Sequence, residues 1–212
     1  MQKDPKASAA SRRQYLRRAL TFTPKKKNAM PVSGSEPSDF RSYATPRGVI
    51  RNNCMAFAFG EHGASDFVKQ QPGNKSGLKT DVSLANCRAI QSRIRRDYPD
   101  AYRPPSPSAP CRRGFAKVMA FLDPDDDFHF YRQGPTGFWE HKRGLTRPTK
   151  VDSCGKRIVD PTKACRDYGK YDYTNFCGTF CRQVSGKKKA KPKVPSPTKK
   201  GIHGKSPPTR RR

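Results

Sequence analysis

The chain has 212 residues, with 45 Lys and Arg against 17 Asp and Glu, which gives a formal charge of +28 at pH 7. Only 33% of its residues are apolar, which is too few for the whole chain to form one packed core. No apolar run approaches the roughly 20 residues that a membrane-spanning helix needs, and the N-terminus lacks the apolar stretch of a secretory signal. Together these features predict a soluble intracellular chain whose seven cysteines need not pair.

The positive charge is concentrated at the two ends of the chain. Residues 1–48 carry 11 basic and 3 acidic residues, and residues 186–212 carry 11 basic residues and no acidic one. We therefore expect a basic, mostly disordered N-terminal arm (1–48), a packed domain (49–185) and a disordered tail rich in Lys, Arg and Pro (186–212).

Basic arms of this composition favour non-specific binding of nucleic acid, because phosphate contacts release counterions and need no defined fold. Their Lys and Arg clusters also suggest a location in the nucleus of a host cell or in a virion. The candidate nucleic-acid-binding residues of the tail are Lys187, Lys188, Lys189, Lys191, Lys193, Lys199, Lys200, Arg210, Arg211 and Arg212.

Two helices are predicted in the first half of the domain. The segment 51–60 turns apolar directly after two Asn and ends on Gly, which predicts a short helix from Cys54 to Gly60, capped by Asn52 or Asn53. The segment 80–98 has apolar residues at helical spacing, with Asp81 as a candidate cap, and predicts an amphipathic helix.

Strands are predicted in the second half of the domain. A continuous apolar run over 115–122 has the length of a central strand, and 128–133 and 137–142 form a candidate hairpin. The segment 157–159 is the candidate for a further strand. Helices followed by antiparallel strands indicate an α+β fold.

Cys54 is the first candidate for chemistry. A thiol at a helix N-terminus faces unpaired backbone amides, which lower its pKa and favour the nucleophilic thiolate. A three-residue hairpin loop at Gly134-Pro135-Thr136 places His141 directly opposite His129 on one sheet face, within contact distance. A Cys-His-His set follows from this register.

Other candidates for the third member stay open. A four-residue loop turns His141 to the other face and leaves Glu140 to orient His129. Asp160, in an Ile-Val-Asp-Pro turn, is a further alternative. His62 follows the first helix too closely to act as its base and is interpreted as a loop residue.

These residues resemble a known family. Asn53-Cys54 at the start of an apolar helix, and a strand carrying His129 with a second polar residue 12 positions later, are similar to the NlpC-type branch of the papain-like cysteine hydrolases. The resemblance covers roughly residues 49–142. The segments 127–132, 139–142 and 158–161 also look like a set found in small cysteine-hydrolase-like proteins of DNA viruses. It implies a papain-like domain whose N-terminal helices pack on an antiparallel sheet.

The resemblance also implies roles for the three residues. Cys54 would be the nucleophile, His129 the base and His141 the group that orients it. The sequence departs from the family at Met55-Ala56, where the family has a small Ser-Gly, and in its 75-residue interval between Cys54 and His129.

Metal and cofactor sites are not expected. Cys177 and Cys181 are separated by three residues, but structural zinc sites usually use a tight pair at both ends. Packing of Cys87, Cys165, Cys177 and Cys181 as small apolar groups is therefore favoured over zinc, although an oxidising particle would allow Cys177 or Cys181 to pair with Cys154 or Cys165. No glycine-rich phosphate loop is present in the sequence.

Two functions are compatible with this sequence. The first is a thiol-dependent hydrolase of a peptide, isopeptide or acyl bond, which its basic arms tether to nucleic acid. The alternative is a non-enzymatic, basic nucleic-acid-binding or virion structural protein with an inactive hydrolase-like fold.

Overall fold

The computed structural model describes residues 29–63, 69–78, 86–124 and 127–184. Within these residues the chain is an α+β domain, as predicted, with short helices packed on one antiparallel sheet. The helices are α1 (Pro46–Arg51), α2 (Cys54–Phe59) and α3 (Cys87–Asp97), and the strands are β1 (Phe115–Asp123), β2 (Asp127–Gln133), β3 (Trp139–His141) and β4 (Asn175–Gln183).

Some sequence predictions lie outside the described residues. These are the first 28 residues of the N-terminal arm, the whole tail 186–212 with its ten candidate nucleic-acid-binding residues, and the first turns of the helix predicted over 80–98. No helix among the described residues is long and apolar enough to cross a membrane.

The helix at Cys54 begins and ends where the sequence predicts. The Asn53 side chain accepts a hydrogen bond from the Ala56 amide at the N-terminus of α2, and Gly60 adopts a left-handed conformation (φ 70°) that ends it. The preceding helix α1 was not predicted. Its N-cap is Thr45, followed by Pro46 in the first turn, where a missing N–H costs nothing.

The packed domain begins earlier than residue 49. Tyr43 is fully buried, and its ring packs edge-on against Phe57 with the centroids 5.1 Å apart. The Ser33 hydroxyl donates a hydrogen bond to the Phe115 carbonyl at the start of β1. Residues 29–48 therefore belong to the domain rather than to the arm, because their aromatic and small polar side chains pack on its core.

The sheet has the order β3-β2-β1-β4, and all its pairs are antiparallel. The segment 157–159 does not form one of its strands. Instead, the Ile158 carbonyl accepts a hydrogen bond from the Trp139 amide at the outer edge of β3. The fourth strand is β4, which the sequence did not reveal because Gly178 (φ 118°) and a register shift opposite Ala120 interrupt its periodicity.

The β2–β3 hairpin has a different register from the predicted one. Gly134 pairs with Phe138, so that the loop is Pro135-Thr136-Gly137, and Gly137 supplies the positive φ of 85° that this turn needs. His141 consequently lies opposite Tyr131 and not opposite His129. This is a shift of two residues, and a shift of two keeps every side chain on its predicted face.

The cysteine chemistry differs from the prediction. Six of the seven cysteines form disulfides: Cys87–Cys177, Cys111–Cys181 and Cys154–Cys165. The expectation that Cys87, Cys165, Cys177 and Cys181 pack as unpaired apolar groups is therefore wrong. The packing of α3 on β4 brings the sulfurs of the first pair together across 90 residues of sequence.

Candidate functional site

The sheet places two histidines side by side in the interior. His129 on β2 and His141 at the end of β3 are 1% and 0% exposed, and the 2.8 Å between His129 Nε2 and His141 Nδ1 is a hydrogen bond. The contact that the hairpin argument predicts is therefore present, along a diagonal of the sheet and not across it.

The direction of this hydrogen bond follows from its surroundings. His141 Nε2 lies 3.0 Å from the Val151 carbonyl, which can only accept, so His141 must donate from Nε2. A neutral His141 then has an acceptor lone pair on Nδ1, and His129 must donate to it from Nε2. This arrangement leaves the lone pair of a neutral His129 on Nδ1, which is the nitrogen that can act as a base.

The Cys54 thiol lies against the strand that carries His129. Cys54 is the unpaired cysteine, at the first residue of α2, and its Sγ lies 3.6 Å from the carbonyl oxygen of Phe128. In the hairpin register Phe128 lies beyond the end of β3, so this carbonyl is at an open edge of β2. The thiol therefore approaches β2 at the residue preceding His129, and its hydrogen bond goes to the backbone and not to an imidazole.

Cys54 and the two histidines lie on different faces of the sheet. Cys54 packs with Phe128 and Phe130 on the face that the helices cover. Strand alternation directs His129 to the opposite face, where its ring contacts Tyr131 and Tyr173. The structure thus joins the two histidines directly and brings Cys54 to the edge of the strand between the two faces.

Burial reverses the expected ionisation of the thiol. Desolvation, followed by the nearby Asp127 carboxylate, raises the pKa of Cys54 to about 12. The backbone amides and the Lys142 ammonium lower this pKa, but they do not compensate for burial. The prediction that the helix N-terminus yields a low thiol pKa is therefore wrong for the resting protein.

The histidines are also held neutral. Burial, followed by the neighbouring His141 and Arg143, lowers the pKa of His129 well below its usual value. Burial likewise lowers the pKa of His141 to about 4. At neutral pH the site is a neutral thiol beside a neutral, hydrogen-bonded pair of imidazoles.

Tyr173 covers the histidine pair. Its ring stacks on His129 at a centroid distance of 4.9 Å and an angle of 26°, and its hydroxyl donates a 2.6 Å hydrogen bond to Asp127. Cys54 is 6% exposed. A substrate carbonyl could reach the thiol only after covering side chains move.

The other sequence candidates have structural partners. Glu140 accepts hydrogen bonds from the buried Arg132 on the helix-covered face. Asp160 caps the short 310-helix Pro161–Lys163 through the Thr162 amide. His62 stacks on Tyr43, with centroids 4.6 Å apart. Glu140 and Asp160 therefore have roles that do not involve His129.

Two residues beside the site were missed by sequence reasoning. Tyr173 lies in an irregular segment with no periodicity, and Lys142 resembles an ordinary charged residue at the end of a strand. Lys142 is in fact fully buried, with its ammonium at the N-terminal end of α2. Its position directly after His141, which is predicted to lie on a strand, is the sequence feature that could have indicated that Lys142 lies beside the site.

A metal site is not assembled around the candidate residues. Among the described residues, potential ligand atoms of Asp152, Cys154 and Cys165 lie within 4.8 Å of one another. The two sulfurs are bonded to each other, and the carboxylate accepts hydrogen bonds from the amides of Cys154, Lys156 and Cys165. In the oxidised protein these three residues therefore do not provide a set of ligand atoms that could bind a metal ion.

The described residues thus define an α+β domain, cross-linked by three disulfides, around a buried thiol and a histidine pair. The chain is 31% identical over 129 residues to insoluble matrix shell protein 1 of Ruditapes philippinarum, a match that covers 60% of this chain and 79% of that protein. The chain belongs to the family of this shell protein. No family model matches the sequence, and no solved structure matches it.

Proposed function

We propose that the domain is a thiol-dependent acyl hydrolase of papain-like type, in which Cys54 is the nucleophile, His129 the base and His141 the orienting group. The observation that carries the proposal is the directed chain of hydrogen bonds from His129 through His141 to the Val151 carbonyl. This chain leaves the lone pair of His129 on Nδ1, which does not bond to His141. His129 lies on β2, and the Cys54 thiol contacts the edge of the same strand.

The proposed reaction proceeds through a thioester. The reaction requires a rearrangement that turns Cys54 Sγ from the Phe128 carbonyl toward His129 Nδ1. His129 Nδ1 then takes the thiol proton as Cys54 Sγ attacks the substrate carbonyl, and the same proton passes to the leaving group as its bond to the acyl carbon breaks. Water hydrolyses the thioester with His129 again acting as the base. His141 accepts from His129 Nε2 throughout and holds the imidazolium in its orientation.

The resting site is neutral, so the proposed mechanism begins with proton transfer. Burial strengthens the hold of the Cys54 thiol on its proton and weakens His129 as a base, so the transfer requires that substrate or water first enter the site and reduce the desolvation of both groups. Movement of Tyr173 and its neighbours would admit the substrate. The substrate class is an ester, amide or isopeptide, since the acyl carbon is the only group that these residues require.

A small activated ester tests the proposal. With p-nitrophenyl acetate, we expect the folded protein to release one equivalent of p-nitrophenol in a burst and to carry one acetyl group on Cys54, detected by mass spectrometry. Cys54→Ala should abolish the burst, and His129→Ala should slow it by about 100-fold or more, because a positioned base contributes about that much.

His62→Ala is the matched control, since it removes an imidazole that stacks on Tyr43 and does not contact His129. Its burst should equal that of the unmodified protein. If Cys54→Ala keeps the burst of the unmodified protein, with acetyl groups on lysines alone, the hydrolase proposal is overturned.

A second function is favoured by the relative's name. We propose as the alternative that the chain is a non-enzymatic component of an insoluble extracellular matrix, held there by contacts between its basic ends and a polyanion such as nucleic acid or an acidic polysaccharide. Three disulfides favour folding in an oxidising compartment over the nucleus. Unchanged retention of Cys54→Ala in the insoluble matrix fraction would support this function, and loss of retention would exclude it.

A further inference from the structure

Lys142 is buried at the junction between the two helices and the end of β3. Its side chain is 0% exposed, and its ammonium donates to three backbone carbonyls: Val49 in α1 at 3.1 Å, Gly144 at 2.5 Å, and Asn52 between α1 and α2. The ammonium thus joins both helices to the strand that carries His141. Asn52 is separated from Cys54 by one residue.

A charge in this position acts on the Cys54 thiol in two ways. It holds the N-terminal end of α2 against the hairpin that carries both histidines, so it fixes where the thiol lies. It also attracts the thiolate, and this attraction is strengthened by the low polarity of the interior.

We propose that Lys142 is a positioning residue that stabilises the thiolate form of Cys54 during the reaction. The catalytic role of Lys142 rests on the proposed function. The electrostatic interaction between its ammonium and the Cys54 thiolate does not depend on that function. Two charged or titratable groups act on Lys142 besides its carbonyl partners: Lys69, which disfavours the ammonium, and Cys54, which favours it.

The ionisation of Lys142 is compatible with this role at neutral pH. Burial lowers its pKa to about 8, so the side chain is mostly protonated near pH 7 and loses its charge as the pH rises through 8. The coupling to Cys54 should therefore weaken over the same pH interval.

Lys117 provides a matched control on β1. It is also 0% exposed, burial lowers its pKa to about 8 as well, and its ammonium donates to the Ser108 carbonyl at 3.3 Å. The charged group that acts on Lys117 is the Glu36 carboxylate and not Cys54. Replacing either lysine with Met removes one buried ammonium and retains a side chain of similar length.

The test is the rate at which methyl methanethiosulfonate converts Cys54 to a mixed disulfide, with release of methanesulfinate, at pH 7.0 and with the three native disulfides intact. We expect Lys142→Met to slow this reaction about tenfold, which corresponds to a rise of one unit in the thiol pKa. Lys117→Met should react within twofold of the unmodified protein.

The pH dependence separates electrostatics from packing. In Lys142→Met the rate should rise tenfold per pH unit between pH 6.5 and 9, because it follows the thiolate alone. In the unmodified protein the rise should be shallower near pH 8, where Lys142 loses its charge. A purely structural role for Lys142 would change the rate without changing this slope.

Several results would overturn the inference: no reaction of Cys54 in the unmodified protein, an equal or faster reaction in Lys142→Met, or an equal slowing in Lys117→Met. The proposed function fails separately. If Lys142 controls thiol reactivity as expected but His129→Ala leaves the ester burst unchanged, the hydrolase is excluded and the coupling between Lys142 and Cys54 remains.

Discussion

The hydrogen bond between the two histidines can form only while His141 is neutral. The hydrogen bond between His129 and His141 requires an acceptor lone pair on His141, and protonation of His141 would place two N–H groups against each other. Burial enforces the neutral state by penalising the imidazolium. The two residues that the sequence picks out for catalysis therefore also make the fold sensitive to acid.

We predict a loss of stability in mild acid. In the folded protein both imidazoles have a pKa below the value of about 6.5 that they have in an unfolded chain. The unfolded state therefore binds more protons, and stability is lost as the pH falls below about 6.5, until His141 in the folded state is itself protonated near pH 4. For His141 alone we expect a loss of about 2 to 3 kcal/mol between pH 7.5 and 4.5, which urea unfolding at the two pH values would measure.

His141→Asn isolates this contribution, because an amide oxygen can accept the same hydrogen bond from His129 without titrating. Its stability should fall by about 2 to 3 kcal/mol less than that of the unmodified protein over the same pH interval. Equal losses in the two proteins would show that His141 is not held neutral by the fold.

The hairpin explains why an incorrect register still gave a correct contact. The period of two along a strand decides which face a side chain occupies, and it depends only on the parity of the loop. Gly137, and not Gly134, provides the positive φ, so the pairing moved by two residues and His141 stayed on the face of His129. The contact was thus predictable, while the partner directly across the strand was not.

The disulfides connect elements that lie far apart in the sequence. Cys87–Cys177 joins α3 to β4 across 90 residues, while Cys154–Cys165 closes a loop of 11. We predict that replacing both cysteines of the first pair with Ala lowers the free energy of unfolding about 1 kcal/mol more than the same change in the second pair. With Cys111–Cys181 intact, the first pair still closes the longer loop, of roughly 28 residues along the cross-linked chain, and a longer loop gains more entropy when it is released.

Chemical unfolding of the two double variants, each with the other disulfides intact, measures this difference. Both variants lack one cross-link and two sulfurs, so each serves as the control for the other. A larger loss in the variant without Cys154 and Cys165 would show that native contacts around that loop outweigh chain entropy.

The whole chain combines a compact, cross-linked domain with strongly basic ends. The tail 186–212 carries 11 positive charges without an acidic residue. We predict that deleting these residues flattens the dependence of log affinity for duplex DNA on log salt concentration by several units, since each phosphate contact contributes about 0.9. Binding measured by fluorescence anisotropy between 50 and about 200 mM salt tests this.

A tail of the same composition in scrambled order is the control for this deletion. It should bind as the native tail does, because counterion release depends on charge and not on sequence. If the scrambled tail behaves like the deletion, a specific motif and not bulk charge is responsible; if the deletion changes nothing, the tail does not contribute to polyanion binding.

Local features of the sequence were enough to predict the start of α2 at Cys54, its capping by one of the two preceding Asn residues, the central strand β1 and the common face of His129 and His141. These follow from capping and from the period of a strand, which act between neighbouring residues. Tertiary structure alone decided the pairing of six cysteines, the strand β4, the burial of Lys142 and the high pKa of Cys54. These depend on groups up to 90 residues apart, whose desolvation and contacts exist only after the chain has packed.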